Sequence, residues 1–543
     1  MYYRGRISTT MTQNKLKIIT ICLICAGTLL AIIAFVFLKL TPLQRYYLVN
    51  NPVGRHFMPT WHAIKKLPNL IHLPYWFTKS HLETYALEIS FTNLQRLNDN
   101  LPIDPNTYRA GRLTEEYKYF VNAVFKSDDY NGDVEIRYRG LCSNNWNAEK
   151  KAIMIKFPSD NLFRGMKSLN FFLPDDRAYF IEPLNAYRAK KLGLYAPDFW
   201  FARLNINGKD AGVYLAAEHW SKSWLEKNNL YSIDNIFSIK DQNFDSRESI
   251  FSENRINDWK SYTAENEDGP FEELKTLIRL IEKADEKEFA EKIGQLVELE
   301  KFYKWQVVNT LAGSTHQSDT NNVVLLFKKE TGKFEPIPWD VGIKAISDDF
   351  YTLGNTLIQR ILNNQEFFRE YNAILKNYAA DEQNLVDDLN YYDHLYQSLQ
   401  KEFYKDQAKI HNDFVFDRQV KKYRELIISN FQAAKKLAEI EKYPSAPRIS
   451  EDAKQTKELW FEGSFKFFDD ATKSADEFLS QHPQFYKKDK NTLVLKKGTH
   501  IFHNTVIIPT GLRLVIEPGA HLYFAPRVSL ISVSYTHLTL PTN

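Results

Sequence analysis

The segment 315–345 constrains the fold of this chain more than any other stretch. It reads THQSDTNNVVLLFKKETGKFEPIPWDVGIKA. A polar cluster leads into an apolar run, a charged turn contains Gly332, and a second short run ends at Trp339 and Asp340. Two apolar runs on either side of a glycine-containing turn predict a β-hairpin.

The register of this hairpin brings polar side chains together. If Phe327 pairs with Phe334, Asn321 and Asn322 fall opposite the pair 339–340, which includes Asp340. Directly opposed residues in an antiparallel pair lie about 5 Å apart. The hairpin therefore predicts that an amide oxygen and a carboxylate share one place in the fold.

The order of these groups along the chain matches a protein-kinase site. There, a first Asp accepts the proton of the substrate hydroxyl, and an Asn and a second Asp hold Mg²⁺ on the phosphates. This order makes Asp319 the candidate catalytic residue and Asn322 and Asp340 the candidate ligands of Mg²⁺, an ion that prefers oxygen. The alternative is that Asp319 and Asn321 are turn residues and Asp340 ends a strand, since Asn and Asp favour turns for local reasons.

A second set of candidates lies between the strand-like runs 134–138 and 151–157. The loop between them contains Arg139, Gly140 and Ser143. A strand, a glycine loop and a returning strand with a lysine cover the nucleotide phosphates in a kinase, although no GxGxxG is present here. Lys151 and Lys156 point to opposite faces of one strand, so only one of them can enter a cleft. The sequence AIMIK at 152–156 favours Lys156, and Lys151 remains a candidate.

Two glutamates are further candidates. The segment 175–194 predicts a helix, and Glu182 is its only glutamate. Because Pro183 favours the first helical turn, Glu182 is expected at the helix start, which weakens it as the partner of a kinase lysine. The segment 199–218 predicts a second hairpin around Asn207-Gly208. Glu218 at its end either faces the nucleotide or caps the following helix.

An apolar run near the N-terminus predicts a membrane anchor. Residues 18–38 are uncharged and mostly apolar, long enough to cross a bilayer of about 30 Å and longer than the apolar part of a signal peptide. The basic residues Arg4, Arg6, Lys15 and Lys17 precede it, which places the N-terminus in the cytoplasm and the bulk outside. The predicted localisation is therefore a single-pass position in the cell membrane. The formal net charge of +3 gives no basic footprint for nucleic acid.

These features divide the chain into successive parts. Apolar residues recur at helical spacing within 271–311, 357–401 and 414–443, which predicts a helical lobe that buries the hairpin. Strand-like rungs with Gly498, Gly511 and Gly519 resemble the first coils of a parallel β-helix. The predicted parts are an N-terminus with signal anchor (1–45), a juxtamembrane linker (46–86), the main domain (87–445), a connecting region (446–490), a truncated β-helix (491–532) and an artefactual tail (533–543).

Taken together, the motifs resemble the spore coat protein H (CotH) kinase family. The matching segments include RYRG at 137–140, NING at 205–208 and IPWD at 337–340, and the resemblance extends from about residue 87 to 440. It implies an α+β, atypical protein-kinase-like two-lobed fold. It also implies ATP- and Mg²⁺-dependent phosphorylation of a protein substrate on serine, with Asp319 in the catalytic position and Asp340 in the metal position.

Two positions depart from the family pattern. Gly342 stands where the family often has a second Asp, and Leu141 replaces an asparagine after Arg139-Gly140. These departures keep a second hypothesis open, a non-catalytic, surface-anchored structural or adhesive protein. Stabilisation by Mg²⁺-ATP distinguishes the two hypotheses.

Overall fold

The computed structural model describes most of the chain between Lys65 and Ser532. The described residues are 65–103, 110–231, 233–240, 248–263, 269, 271–347, 350, 354–443, 473–502, 506–509, 511–524 and 530–532. Strands and helices both occur throughout these ranges, so the predicted mixed α+β class is confirmed. The predicted anchor, 18–38, and the predicted tail, 533–543, lie outside the described residues.

A closed β-barrel forms the first half of the described structure. Its seven strands follow the order β1-β2-β3-β4-β5-β7-β6, and parallel pairing of β1 with β6 closes the ring. Aromatic and aliphatic side chains alternate along the strands and fill the interior, as expected for small barrels. The bounds are β1 (Thr84–Glu88), β2 (Val121–Lys126), β3 (Asn131–Tyr138), β4 (Ile153–Lys156), β5 (Ser168–Phe172), β6 (Phe199–Ile206) and β7 (Lys209–Glu218).

The outer face of this barrel carries polar residues in register. In β5, Leu169 and Phe171 belong to the barrel core, so Asn170 between them lies on the outer face. Asn170 is paired with Met154 of β4 on one side and with Ala217 of β7 on the other. Arg137 of β3 pairs with Met154, which extends the same row. The barrel therefore presents Arg137 and Asn170 on one surface.

The predicted hairpin belongs to a separate four-stranded sheet. Its order is β11-β10-β8-β9, with β8 (Asn235–Ile239), β9 (Trp259–Ser261), β10 (Val324–Lys328) and β11 (Lys333–Pro336). Phe327 pairs with Phe334, which confirms the predicted register.

Helices make up a second, larger hydrophobic core. Apolar and aromatic side chains from these helices pack together with residues of β5, β7, β8, β10 and β11. The bounds of the helices are α1 (Leu73–Trp76), α2 (Phe91–Asp99), α3 (Ile181–Lys191), α4 (Lys222–Lys227), α5 (Glu272–Lys283), α6 (Glu286–Leu296), α7 (Leu299–Ala312), α8 (Thr356–Asn363), α9 (Gln365–Ala380), α10 (Glu382–Lys405) and α11 (Asp413–Leu437).

Residues from Lys65 onward pack against the helical part. His72 contacts the Asp413 carboxylate at 2.7 Å, and the Trp76 indole N–H donates to the Tyr404 carbonyl at 3.1 Å. The strand β1 begins at Thr84. This segment is part of the predicted juxtamembrane linker, 46–86, whose many prolines and aromatics led us to expect that it lies on the next domain. Its described portion contacts the helical part in this way.

The C-terminal part consists of a short helix followed by strands in parallel pairs. Thr492 pairs with Arg513, Gly498 with Ala520, and Val506 with Leu530. Another pair, Phe485 with Leu495, is antiparallel, and the β-helical coils predicted for 491–532 stay a prediction. The bounds are α12 (Ala475–Gln481), β12 (Phe485–Asp489), β13 (Thr492–Leu495), β14 (Gly498–Phe502), β15 (Val506–Ile508), β16 (Arg513–Ile516), β17 (Ala520–Phe524) and β18 (Leu530–Ser532).

Across the ranges that the structure describes, no helix is both long and apolar enough to cross a bilayer. This finding contradicts the predicted single-pass localisation in the cell membrane, and that prediction is withdrawn. It had rested on the apolar run 18–38 and on the basic residues that precede it, all of which lie outside the described residues.

Candidate functional site

The hairpin brings Asn322 and Asp340 into direct contact. The Asn322 side chain donates a hydrogen bond to the Asp340 carboxylate. Both residues adopt the left-handed backbone region, with φ of 59° and 52°. This region is unfavourable for side chains other than glycine, and such strain clusters at functional sites. The predicted convergence of an amide and a carboxylate is therefore present, at two strained positions.

A buried arginine pairs with the Asp340 carboxylate. Arg177, which is 9% exposed, forms an ion pair with Asp340 and also lies 3.6 Å from the carboxylate of Asp176. Its guanidinium lies 4.5 Å from the centre of the Phe172 ring. Burial by itself raises the pKa of Asp340, but the charges of Arg177, His316 and Arg139 outweigh burial and lower that pKa. The Asp340 carboxylate is therefore ionised at neutral pH.

Two further carboxylates share this environment. Burial raises the pKa of Asp176 and of Glu182, against the opposing effect of Arg177. Glu182 lies in the first turn of α3, as predicted, and accepts the backbone N–H of Asp340 at 2.7 Å and that of Gly342 at 3.5 Å. Glu182 thus fixes the backbone on both sides of Val341 and sets the direction of the Asp340 side chain.

The glycine loop reaches the same cluster. The Asn144 amide donates to the Asp176 carboxylate at 2.5 Å, and Asn144 belongs to a short 3₁₀ helix that begins at Ser143. Gly140 has φ of 87°, and a Cβ there would overlap the Asn145 side chain, so the turn requires glycine. Ser143 and Gly140 therefore lie in a loop that contacts the acidic cluster through Asn144.

Gly342 also occupies a position that favours glycine. Its φ is 67°, and an added Cβ would lie 3.3 Å from the His316 ring. The second Asp that the family often has here would be strained in this backbone conformation. The departure from the family pattern therefore has a local conformational reason.

Asp319 lies beside the N-terminus of α8. Its Oδ1 accepts the Ser249 hydroxyl at 2.6 Å, the Thr356 backbone N–H at 2.8 Å and the Thr356 hydroxyl at 3.0 Å. No donor among the described residues binds its Oδ2. Asp319 is half-buried and outside an apolar core. One oxygen of this carboxylate is thus fixed by three donors.

Positive charge gathers on the outer face of the barrel near the acidic cluster. The Arg139 guanidinium lies 3.9 Å from the centre of the Phe172 ring. Burial, together with Arg177 and Arg137, lowers the pKa of Arg139 to about 9. Among the described residues no carboxylate lies within ion-pair distance of Arg137 or Arg139. These two arginines suit an anionic ligand, because a buried cation without a counter-ion is unfavourable.

Of the two candidate lysines, Lys156 belongs to β4 and Lys151 precedes this strand, whereas the prediction placed both on one strand. The Lys151 ammonium donates to the carbonyls of Trp146 at 2.7 Å and Ala148 at 2.5 Å, and burial lowers its pKa to about 8. Lys151 thus stabilises its own loop, which corrects its assignment as a phosphate ligand. Lys156 is exposed, lies 3.8 Å from the Glu135 carboxylate and follows Met154 on the outer face. Lys156 therefore lies at the edge of the basic surface.

Glu218 does not face this surface. It pairs with Leu169, whose side chain belongs to the barrel core, and its carboxylate accepts the Lys227 ammonium of α4 at 3.0 Å. The alternation of side chains along β7 directs Glu218 to the opposite face from Ala217. The assignment of Glu218 as a nucleotide ligand is therefore corrected, and it instead contacts the helix that follows the strand.

Sequence reasoning missed the arginine and one carboxylate at the centre of the site. Asp176 and Arg177 lie between a fully buried strand, β5, and the buried start of α3. A run of three charged residues, DDR at 175–177, within otherwise apolar sequence was the available signal. Charged residues are almost never buried unless they are paired, so such a run marks a site.

The donor set fits Mg²⁺, which the family implies. Asp340, Asp176 and the Asn322 amide offer oxygen, and Mg²⁺ is usually held by one or two carboxylates together with waters and phosphates. Arg177 shows that a cation is favourable at this place, since it pairs with both carboxylates. Among the described residues, no group of three or more His, Cys, Asp or Glu is placed to hold a metal ion.

Comparison with known proteins places the chain in a family. The family description "CotH kinase protein" matches residues 136–433, more than half of the chain, and the chain belongs to this family. It is 28% identical over 271 residues to the inner spore coat protein H of Bacillus subtilis (strain 168), covering 47% of this chain and 74% of that protein. This confirms the predicted family.

One solved structure was also similar. The crystal structure of the Helicobacter pylori proinflammatory kinase CtkA matches with a TM-score of 0.20 and 13% sequence identity, covering 53% of this chain and 95% of that chain. The TM-score is too low to support an argument about the fold.

Proposed function

We propose that this chain is an atypical protein kinase that transfers the γ-phosphate of ATP, with Mg²⁺, to a serine of a protein substrate. Membership of the CotH kinase protein family supports the reaction class. The observation that carries the proposal is the contact between Asn322 and Asp340, beside a buried arginine and an acidic cluster. ATP, Mg²⁺ and a serine-bearing protein are the proposed cofactors and partner.

Separate residues are assigned to the metal ion and to the phosphates. Asp340 and Asn322 would hold Mg²⁺, which when bound would supply positive charge to neutralise the phosphates. Glu182 keeps the Asp340 backbone in place through its two backbone hydrogen bonds. Arg139 and Arg177 bind phosphate oxygens, since their guanidinium groups lie on the Phe172 ring next to the carboxylates.

Asp319 acts on the acceptor. Its Oδ2 accepts the serine hydroxyl proton as the serine oxygen bonds to the γ-phosphorus. The bond from that phosphorus to the β–γ bridging oxygen breaks, and ADP leaves. The three donors on Oδ1 keep the carboxylate oriented during this step.

One observation favours the non-catalytic alternative. Arg177 already pairs with the carboxylate that is assigned to the metal. A chain that never binds Mg²⁺ would keep this ion pair as a permanent structural element. Binding and transfer must therefore be measured separately.

The test is phosphoryl transfer from labelled ATP by the full chain and by Asp340→Asn. We expect Asp340→Asn to lose transfer by at least about a hundredfold, since a metal-ion contribution of several kcal/mol disappears. The matched control is Asp198→Asn, because this carboxylate is 84% exposed and pairs only with a surface lysine. Equal transfer by Asp340→Asn and wild type would contradict the proposal. Absence of thermal stabilisation by ATP with any divalent ion would favour the alternative.

A further inference from the structure

Asn170 has unused hydrogen-bonding capacity at the centre of the barrel's outer face. It is 1% exposed, and neither its Oδ1 nor its Nδ2 has a partner among the described residues. Buried polar side-chain atoms nearly always have a partner, and each exception calls for an explanation. A carboxamide places a donor and an acceptor side by side. Asn170 therefore offers a paired donor and acceptor to a ligand.

A second unpartnered polar atom shares this surface. His219 follows Ala217 by two residues, so the two lie on the same face of the chain at the end of β7. The Nδ1 of His219 is buried and has no partner among the described residues. Burial, with the positive charges of Arg139, Lys260 and Arg137, lowers the pKa of His219 well below its ordinary value. The imidazole is neutral at neutral pH and adds one more uncharged polar contact.

The position of Asn170 relative to the phosphate-binding groups suits a nucleotide base. Phe172, which carries the guanidinium groups of Arg139 and Arg177, lies two residues further along β5. Two residues of a strand span about 7 Å, so Asn170 and the arginines are placed to contact different parts of one nucleotide. The neighbours of Asn170 across the ladders are Ala217, which is small, and Met154, which is flexible and 8% exposed.

We propose that Asn170 recognises adenine, so that this residue determines the base specificity of the nucleotide site. Its carbonyl oxygen accepts from the exocyclic 6-amino group, and its amide N–H donates to the adjacent ring nitrogen, the pairing that asparagine makes with adenine elsewhere. His219 supplies a further contact through Nδ1. The Met154 side chain moves aside to admit the base. This inference rests on the proposed function and adds the residue that selects ATP over other nucleotides.

The experiment compares nucleotide binding by the full chain and its variants. Dissociation constants are measured by calorimetry with Mg²⁺ and ATP, GTP, purine riboside triphosphate, which lacks the 6-amino group, or inorganic tripolyphosphate. We expect wild type to prefer ATP and Asn170→Leu to bind ATP about tenfold to a hundredfold more weakly, with tripolyphosphate unchanged. Arg139→Gln is the matched comparison, because it should weaken all four ligands alike.

Thermal unfolding without nucleotide separates recognition from a structural role. Asn170→Leu removes an unpartnered buried amide, so its unfolding temperature should equal or exceed that of wild type. A large decrease would show that the amide is a structural element and would overturn the proposal. An unchanged preference for ATP in Asn170→Leu would overturn it as well, while leaving the kinase proposal intact. Failure of wild type to bind any of the three nucleotides would instead refute the proposed function, and this inference with it.

Discussion

Replacement of Arg177 by glutamine tests the electrostatic structure of the site. The arginine is 9% exposed and pairs with Asp340, whose side chain is 26% exposed, and with Asp176. Removing one partner of a buried ion pair destabilises a protein by about 3–5 kcal/mol, because the other charge is left buried without compensation. Since Asp340 is partly exposed, we expect Arg177→Gln to lose about 3 kcal/mol at pH 7.

The loss should depend on pH and on metal. Arg177 lowers the pKa of Asp340 and opposes the raised pKa values of Asp176 and Glu182, so its removal raises all three. These carboxyls then take up protons as the pH falls from 7 to 5, and the deficit relative to wild type shrinks over that window. Mg²⁺ should restore more stability to the variant than to wild type, because the ion replaces the missing cation.

The assay is thermal unfolding of the full chain at pH 7 and pH 5, with and without Mg²⁺. For a large domain 1 kcal/mol corresponds to roughly 2 °C, so the expected decrease at pH 7 is about 6 °C. Arg164→Gln is the control, since this arginine is 42% exposed and its surface ion pairs contribute about 1 kcal/mol or less. An equal decrease at both pH values, with no added effect of Mg²⁺, would refute the reasoning.

Two further predictions concern Glu182 in the site and Gly212 in β7. Glu182→Gln keeps an acceptor for the Asp340 N–H but removes a carboxyl whose pKa is raised in the folded protein. Because of that raised pKa, wild type loses stability as the pH rises above about 4.3, so the variant should gain stability relative to wild type between pH 5 and pH 8. A difference in unfolding temperature that stays constant over this range would contradict the prediction. Gly212→Ala should lower the free energy of unfolding by about 3 kcal/mol, because Gly212 has φ of 85° and an added Cβ would overlap the Asp406 carboxylate. The control Gly208→Ala has a similar φ of 79° but open space around the added Cβ, so it should lose about 1 kcal/mol. Denaturant unfolding measures both losses, and equal losses would show that steric overlap contributes nothing.

The hairpin could be predicted because the residues that determine it are close together in the sequence. The turn around Gly332 and the pairing of Phe327 with Phe334 follow from neighbouring residues, and they bring Asn322 to Asp340. The direction of Lys151 was not predictable in this way, because Lys151 precedes β4 and its ammonium binds the carbonyls of Trp146 and Ala148. Predictions succeeded where the period of a strand or the chemistry of a turn determined the outcome.

The remaining parts of the site depend on contacts between distant segments. Arg177 meets Asp340 across more than 160 residues, and no periodicity in the sequence indicates that contact. The closed barrel could not be predicted either, because its closure depends on the pairing of β1 with β6, two strands that are far apart in the sequence. Glu218 was ambiguous for a different reason, because its direction depends on which face of β7 is inside the barrel.

Closure of the barrel has a consequence for how the protein responds to its ligands. Every strand in the ring has a neighbour on each side, so no strand can separate without breaking two ladders at once. Arg137 and Asn170 therefore lie on strands that are held on both sides, whereas Asp340 and Asn322 lie just beyond the ends of a short hairpin. The base of a bound nucleotide would thus contact a surface that does not move. The segment that carries the proposed metal ligands would change its conformation instead. Amide hydrogen exchange should accordingly be slow along β3 to β5 and faster around residues 339–347.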